Sequence, residues 1–137
     1  MSIRYHIGRF AKLVDRSVHT IRWYEAQGLI PAVGRDAGGR RVYEDEHVEH
    51  LLFLERMRRT GMSVAEMRRL TDLSMQGWRT LEARKSVLQD HRAEIEAKIA
   101  DLSAAVEDID AKIAFYDEWD RNKRRPRKAT GPAQART

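Results

Sequence analysis

Residues 79–118 contain neither glycine nor proline, and their apolar positions fall on one stripe. From Ile95 the stripe runs through Ile99, Leu102, Val106, Ile109, Ile113 and Tyr116, in alternating steps of four and three. That is the heptad spacing of a coiled-coil seam. Extended backwards, the seam takes in Leu88 and Leu81, with Arg92 and Lys85 between them, so its first part is polar and is expected to pack less tightly. Glu94, Glu96, Lys98, Asp101, Glu107 and Asp108 fill outer positions. A helix of this length spans about 60 Å at ~1.5 Å per residue. The residues before it form too small a head to bury such a stripe, and a second copy of the helix is the simplest cover. A fold back onto the head, or a helical hairpin, is the other arrangement, but nothing between Leu88 and Tyr116 marks a turn. The spacing predicts a homodimer joined by Leu88, Ile95, Ile99, Leu102, Val106, Ile109, Ile113 and Tyr116.

The segment ahead of this helix is broken by turn residues. Ile7, Phe10, Ala11 and Val14 give one apolar helical face. Asp15-Arg16 interrupts it, Ser17 can cap a second helix over Val18 to Gln27, and Gly28 stops that helix. Val18 and Ile21 are expected to face inward and His19, Arg22 and Tyr24 outward, with Trp23 as a core anchor. Two short helices joined by a tight turn, the second bearing exposed donors, fit a helix-turn-helix. Gly38-Gly39 between two short runs then reads as a β-hairpin turn, with Arg35, Arg40 and Arg41 near its tip. Arginine forks suit phosphate geometry, so the hairpin reads as a DNA-binding wing. A third helix is expected from about Glu44 to Arg59, acidic at its start and basic at its end, with Val48, Leu51, Leu52, Leu54 and Met57 as core. Ser63-Val64-Ala65-Glu66 is a capping box that opens a fourth.

The expected fold is therefore mainly α: a winged helix-turn-helix head with a small β-hairpin wing (1–75), one long coiled-coil helix (76–118), and a basic, disordered tail (119–137). Charge follows the same division. Residues 1–80 hold 14 Lys/Arg against 10 Asp/Glu, residues 81–118 hold 5 against 10, and residues 119–137 hold 7 against 1. Basic ends point to a polyanion partner, although the tail alone is equally read as a solvated extension. No apolar run approaches the ~18 residues of a membrane span, and the first residues lack the apolar core of a signal peptide, so the expected location is the cytoplasm.

The chain has no cysteine, which excludes thiolate metal sites, disulfides and thiol redox switches. His47 and His50 lie three apart on the expected third helix, but without further ligands at matching positions they read as a solvated face, and no metal or cofactor is expected. No nucleophile–base pair or phosphate loop is found, so the chain does not read as an enzyme. Phe115, Tyr116 and Trp119 end the seam and read as dimer packing, with the wall of a small effector pocket as the alternative.

Ile7-Gly8 with Ala11, then Thr20-Ile21-Arg22-Trp23-Tyr24-Glu25 with Gly28-Leu29-Ile30, Arg35, Gly39 with Arg41-Val42-Tyr43, and Arg58 to Gly61 followed by Ser63, together resemble the MerR family of bacterial transcriptional regulators. The resemblance covers residues 5–70 in order. It implies an antiparallel dimer on a pseudo-palindromic promoter, with the spacer DNA bent and untwisted so that RNA polymerase engages both promoter elements. It implies DNA contacts from Arg22 and Tyr24 on the second helix, from Arg35, Arg41 and Tyr43 on the wing, and from Arg59. His19 is added as a base reader from the helix face, and Ser17, Thr20 and Arg40 complete the expected DNA-binding set. Asp15 replaces a frequent glycine, which the αL tolerance of Asp permits, and Arg40 replaces a frequent aromatic residue. Without cysteine the thiol-based sensing of such proteins does not transfer, and no large effector domain follows the helix. A small-molecule effector of unknown identity is left open. A non-sensing architectural DNA-binding protein is the alternative function.

Overall fold

A computed structural model describes residues 3–127. Its elements, in chain order, are β1 (Arg4–Tyr5), α1 (Ile7–Val14), α2 (Val18–Ala26), β2 (Gly34–Arg35), β3 (Arg41–Glu44), α3 (Asp45–Arg59), α4 (Val64–Ser74), a 3-10 turn (Trp78–Thr80) and α5 (Leu81–Asn122). The chain divides into two compact units, Met1–Ala93 and Glu94–Thr137.

The first unit begins with the tight turn expected between α1 and α2. Asp15 adopts φ 52°, and the N–H groups of Asp15 and Arg16 return to the carbonyls of Lys12 and Ala11 at 3.2 and 3.0 Å. These bonds satisfy the last carbonyls of α1. Ser17 Oγ accepts the Thr20 N–H at 3.1 Å and starts α2. Arg16 donates from Nε to the buried Glu55 carboxylate on α3 at 2.8 Å, so the turn is fastened to α3.

The hairpin is organised by Asp36. Its Oδ1 accepts the N–H groups of Gly38 and Arg40 at 3.0 and 2.9 Å, and Gly39 takes the positive φ of 80° that closes the turn. The sequence predicts two strands here, but the sheet has three, in the order β1-β3-β2, all antiparallel. The extra strand pairs Arg4 with Glu44 and Tyr5 with Tyr43. Two residues carry too little periodicity for the sequence to reveal a strand.

The core joins Phe10, Ala11 and Val14 of α1, Ile21 and Tyr24 of α2, Leu29, Ile30, Tyr43, Leu51 and Leu54 of α3, and Met62, Met67 and Leu70. Phe10 and Tyr43 stack at 4.3 Å. Leu52, expected in the core, is exposed, because α3 turns Leu51, Leu54 and Glu55 inward. The capping box of Ser63 and Glu66 forms as expected.

His47 and His50 are not a solvated face. His47 accepts the Glu44 N–H on Nδ1 at 2.9 Å, and its Nε2 meets the Ala32 carbonyl at 3.2 Å, which pins the start of α3 to the loop before β2. His50 Nε2 lies 2.8 Å from Thr71 Oγ1, whose proton goes to the Met67 carbonyl at 2.9 Å.

The long helix begins at Leu81 and runs without a break to Asn122. It thus starts later than residue 76 and continues through residues 119–122, which the sequence assigns to a disordered tail. Its first turns belong to the head: Val87 and His91 are buried there, and Leu88 packs against the same core. Leu88 is therefore drawn to its own head, and the seam that remains open begins further along. In the second unit Ile99, Leu102, Val106, Ile109, Ile113 and Tyr116 are each 53–67% exposed. Residues 123–127 follow the helix, and residues 128–137, the remainder of the expected tail, lie outside the described residues. Among the described residues no helix is long and apolar enough to cross a membrane.

Burial, and then the neighbouring His47, hold the His50 pKa below its ordinary value. The unfolded chain therefore takes up a proton near pH ~6.5 that the folded chain resists, so stability falls as pH drops below that value. Urea unfolding at several pH values is expected to show this acid slope reduced in His50→Gln, because one titrating group has been removed.

Candidate nucleic-acid interface

The interface is built from α2, the hairpin and the last turn of α3. On α2, Ile21 and Tyr24 lie three residues apart and share the buried face. His19 and Arg22 are exposed on the other side. Ser17 and Thr20 cap the helix start, their hydroxyls 2.9 Å apart. Trp23 is half-buried against the core, with the Arg58 guanidinium 5.0 Å from its ring.

Two expected contact residues prove to be core. Tyr24 is 1% exposed, and its hydroxyl faces Arg58 at 3.4 Å. Tyr43 is fully buried between the β1 pairing and the Phe10 ring. Its hydroxyl donates to Glu25 Oε1 at 2.8 Å. Burial, and then this bond to a carboxylate, push the Tyr43 hydroxyl pKa far above the ordinary tyrosine value. Both residues therefore shape the surface from behind. The three-residue step from Ile21 to Tyr24 is legible in the sequence and signals the Tyr24 position; the burial of Tyr43 depends on β1.

Glu25 is a residue to which the sequence assigns no role of its own. It takes Tyr43 on one carboxylate oxygen and Arg41 on the other, at 2.9 Å. One side chain of α2 thereby holds the wing strand in place. No spacing rule reveals such a link across the hairpin.

The wing arginines are exposed and also engaged within the hairpin. Arg35 donates to the Gly39 carbonyl at 2.7 Å, and Arg40 lies 3.6 Å from Asp36. Asp36 further meets His6 Nε2 at 2.9 Å. That bond, followed by the backbone N–H of Arg40, lowers the Asp36 pKa. Each guanidinium has five donors, so one internal bond leaves others for phosphate oxygens. His6, Ile7, Arg22, Arg35, Arg40 and Arg41 line a concave surface of about 270 Å³. Arg59 is exposed at the end of α3. Among the described residues no group of three or more His, Asp or Glu side chains is arranged to hold a metal ion.

An exposed donor-bearing helix, set in a helix-turn-helix and flanked by an arginine hairpin, defines a winged helix-turn-helix DNA-binding protein. The family models for the MerR HTH family regulatory protein and for MerR, DNA binding match residues 5–73 and 48–112. An HTH-type transcriptional regulator of Haemophilus influenzae is 31% identical over 114 residues, which are 83% of this chain and 84% of that protein. A ZntR homolog of the same organism is 36% identical, over 71% of this chain and 72% of its own. Among solved structures, HiNmlR, a MerR family regulator lacking the sensor domain, bound to promoter DNA, has a TM-score of 0.73 and 29% identity, covering 89% of this chain and 97% of that one. A putative MerR family regulator from Listeria monocytogenes has a TM-score of 0.75 and 34% identity over 82% and 86%. The chain belongs to the MerR family, and it is a transcriptional regulator rather than an enzyme.

Tyr43→Phe is expected to lower the unfolding free energy by roughly 1.5–3 kcal/mol, the range for a hydrogen bond to a charged group. Arg41→Ala, which breaks a half-exposed ion pair, is expected to cost less than about 1 kcal/mol. Urea unfolding of the two variants checks the order.

Proposed function

We propose that two copies of the chain pair antiparallel through the α5 seam and bind a pseudo-palindromic promoter. The DNA between the half-sites is then distorted to control transcription by RNA polymerase. The observation that carries this reading is the division of α2 into a buried face, Ile21 and Tyr24, and an exposed face, His19 and Arg22, beside the basic concave surface of the wing. The likeness to a regulator solved on promoter DNA supports it.

On this reading the first unit is the DNA-binding head, and the second is the dimer helix with its basic end. α2 enters the major groove, where His19 reads base edges and Arg22 reaches bases or the adjoining backbone. Ser17 and Thr20 bring the start of α2 to a phosphate, which the helix N–H groups and dipole favour. Arg35, Arg40 and Arg41 hold the flanking backbone, and Arg59 takes a phosphate from the end of α3. Tyr24 and Tyr43 support these contacts without making them. Such a regulator works in the cytoplasm, beside the chromosome.

The dimer follows from the seam. Six apolar residues at heptad spacing, each more than half exposed in the single chain, need a partner. Ile95 adjoins them and is half-buried.

Val106→Asp with Ile109→Asp places carboxylates in the middle of the seam, where burial costs several kcal/mol. Sedimentation at micromolar concentration is expected to show loss of the dimer; a fully dimeric variant overturns the seam. For the head, His19→Ala and Arg35→Ala are expected to fail differently on a promoter duplex and its single-base variants. His19→Ala loses about 1–3 kcal/mol of discrimination at symmetric base pairs. Arg35→Ala weakens all sequences alike and reduces the salt dependence by about one phosphate per head. Uniform loss in both variants would reduce α2 to a backbone contact.

A further inference from the structure

The end of α5 carries a second cationic surface, on a different unit from the head. α5 stops where Lys123 takes φ 51° and the Arg124 N–H returns to the Trp119 carbonyl at 3.3 Å. The stop directs Arg124-Arg125-Pro126-Arg127 off the helix axis, and all three arginines are exposed. Arg124, Arg125, Pro126 and Arg127 line a concave surface of about 390 Å³ together with Glu118 and Asn122. The Arg125 guanidinium lies 5.8 Å from the Trp119 ring, which gives it a fixed side to rest on.

Two features separate this cluster from a helix end that merely complements its dipole. Cations serve the dipole within the last turn, where Arg121 already stands and where Lys123 pairs with Asp120 at 2.5 Å. Arg124, Arg125 and Arg127 lie beyond that turn. The helix before them is strongly acidic, with Glu94, Glu96, Asp101, Glu107, Asp108, Asp110, Asp117 and Glu118 against Lys98 and Lys112 over residues 94–118. A polyanion is repelled along the helix and attracted only at its end. Three guanidiniums within four residues match the bidentate chemistry of phosphate.

We propose that Arg124, Arg125 and Arg127 form an auxiliary, sequence-independent contact with the phosphate backbone of the duplex held by the heads. The choice of that duplex rests on the proposed dimer. In an antiparallel α5 pair, the last turns of one helix run beside the first turns of the other, which belong to a DNA-binding head. The contact adds affinity and extends the protected DNA outward, and it contributes nothing to base discrimination.

The test compares the full chain with the triple variant Arg124→Gln, Arg125→Gln, Arg127→Gln. The probes are a duplex enriched by the full chain from a random pool, a shuffled duplex of the same composition, and a single-stranded RNA of equal length. Affinity is followed over a series of salt concentrations. The variant is expected to stay dimeric and to keep the same preference for the enriched over the shuffled duplex. Its salt slope should fall on both duplexes, by up to about 5 for six arginines per dimer at ~0.9 per phosphate. An unchanged slope on both duplexes overturns the proposal, and so does a change confined to the RNA. Failure of the promoter reading looks different: the full chain itself would not prefer the enriched duplex, while the slope on shuffled DNA would still report on the three arginines.

Discussion

Tyr43 is the residue on which the head depends. Its ring stacks on Phe10 of α1, its backbone pairs with Tyr5 of β1, and its hydroxyl reaches Glu25 of α2. One side chain therefore joins the first helix, the edge strand, the wing and the DNA-facing helix. Glu25 passes the constraint on by holding Arg41 of the wing. A hairpin of this size is marginal by itself. Here its base is built into the core, while its tip is closed by Asp36 and tied back to the start of α1 through His6. The exposed arginines are thus carried on a short but fixed support, so little conformational freedom remains to be lost when phosphate binds.

The same physics explains what could be read from the sequence. The turn at Asp15, the cap at Ser17, the box at Ser63 and Glu66 and the seam beyond Ile95 are local patterns, each fixed by residues a few positions apart. The turn, the cap, the box and an unbroken helix that carries the apolar stripe are found in the structure. Long-range partners were not legible. Arg16 and Glu55 lie 39 positions apart, and His6 and Asp36 lie 30 apart. Tyr43 illustrates the error most clearly. The family resemblance implies a DNA contact for Tyr43 together with Arg41 on the wing. The added strand β1 and the Phe10 ring cover the tyrosine and leave the arginine at the rim.

His47 and His50 show a related limit. Spacing alone offers a metal pair or a wet helix face, whereas in the structure both rings have hydrogen-bond partners within the protein. His47 serves as the cap of α3 and as a link to Ala32, and His50 sits against Thr71. Imidazole fits both positions because it is compact and carries a nitrogen at each end of its ring. The two residues are joints between α3, α4 and the loop ahead of the wing.

Charge gives the chain its final division of labour. The basic surfaces lie on the head and at the end of α5, and the helix between them is acidic. In the proposed dimer, two acidic helices repel one another, and the apolar seam must overcome that repulsion. Salt screens the repulsion between exposed charges on the two helices and thereby favours pairing. Salt also weakens phosphate contacts made by the basic surfaces, because each counterion released on binding gains less entropy when the bulk solution is already salty. Ionic strength therefore acts on assembly and on DNA binding in opposite directions. A seam of Ile, Leu and Val at heptad positions suits this arrangement, since its attraction is non-directional and does not depend on the charges that govern the DNA contact.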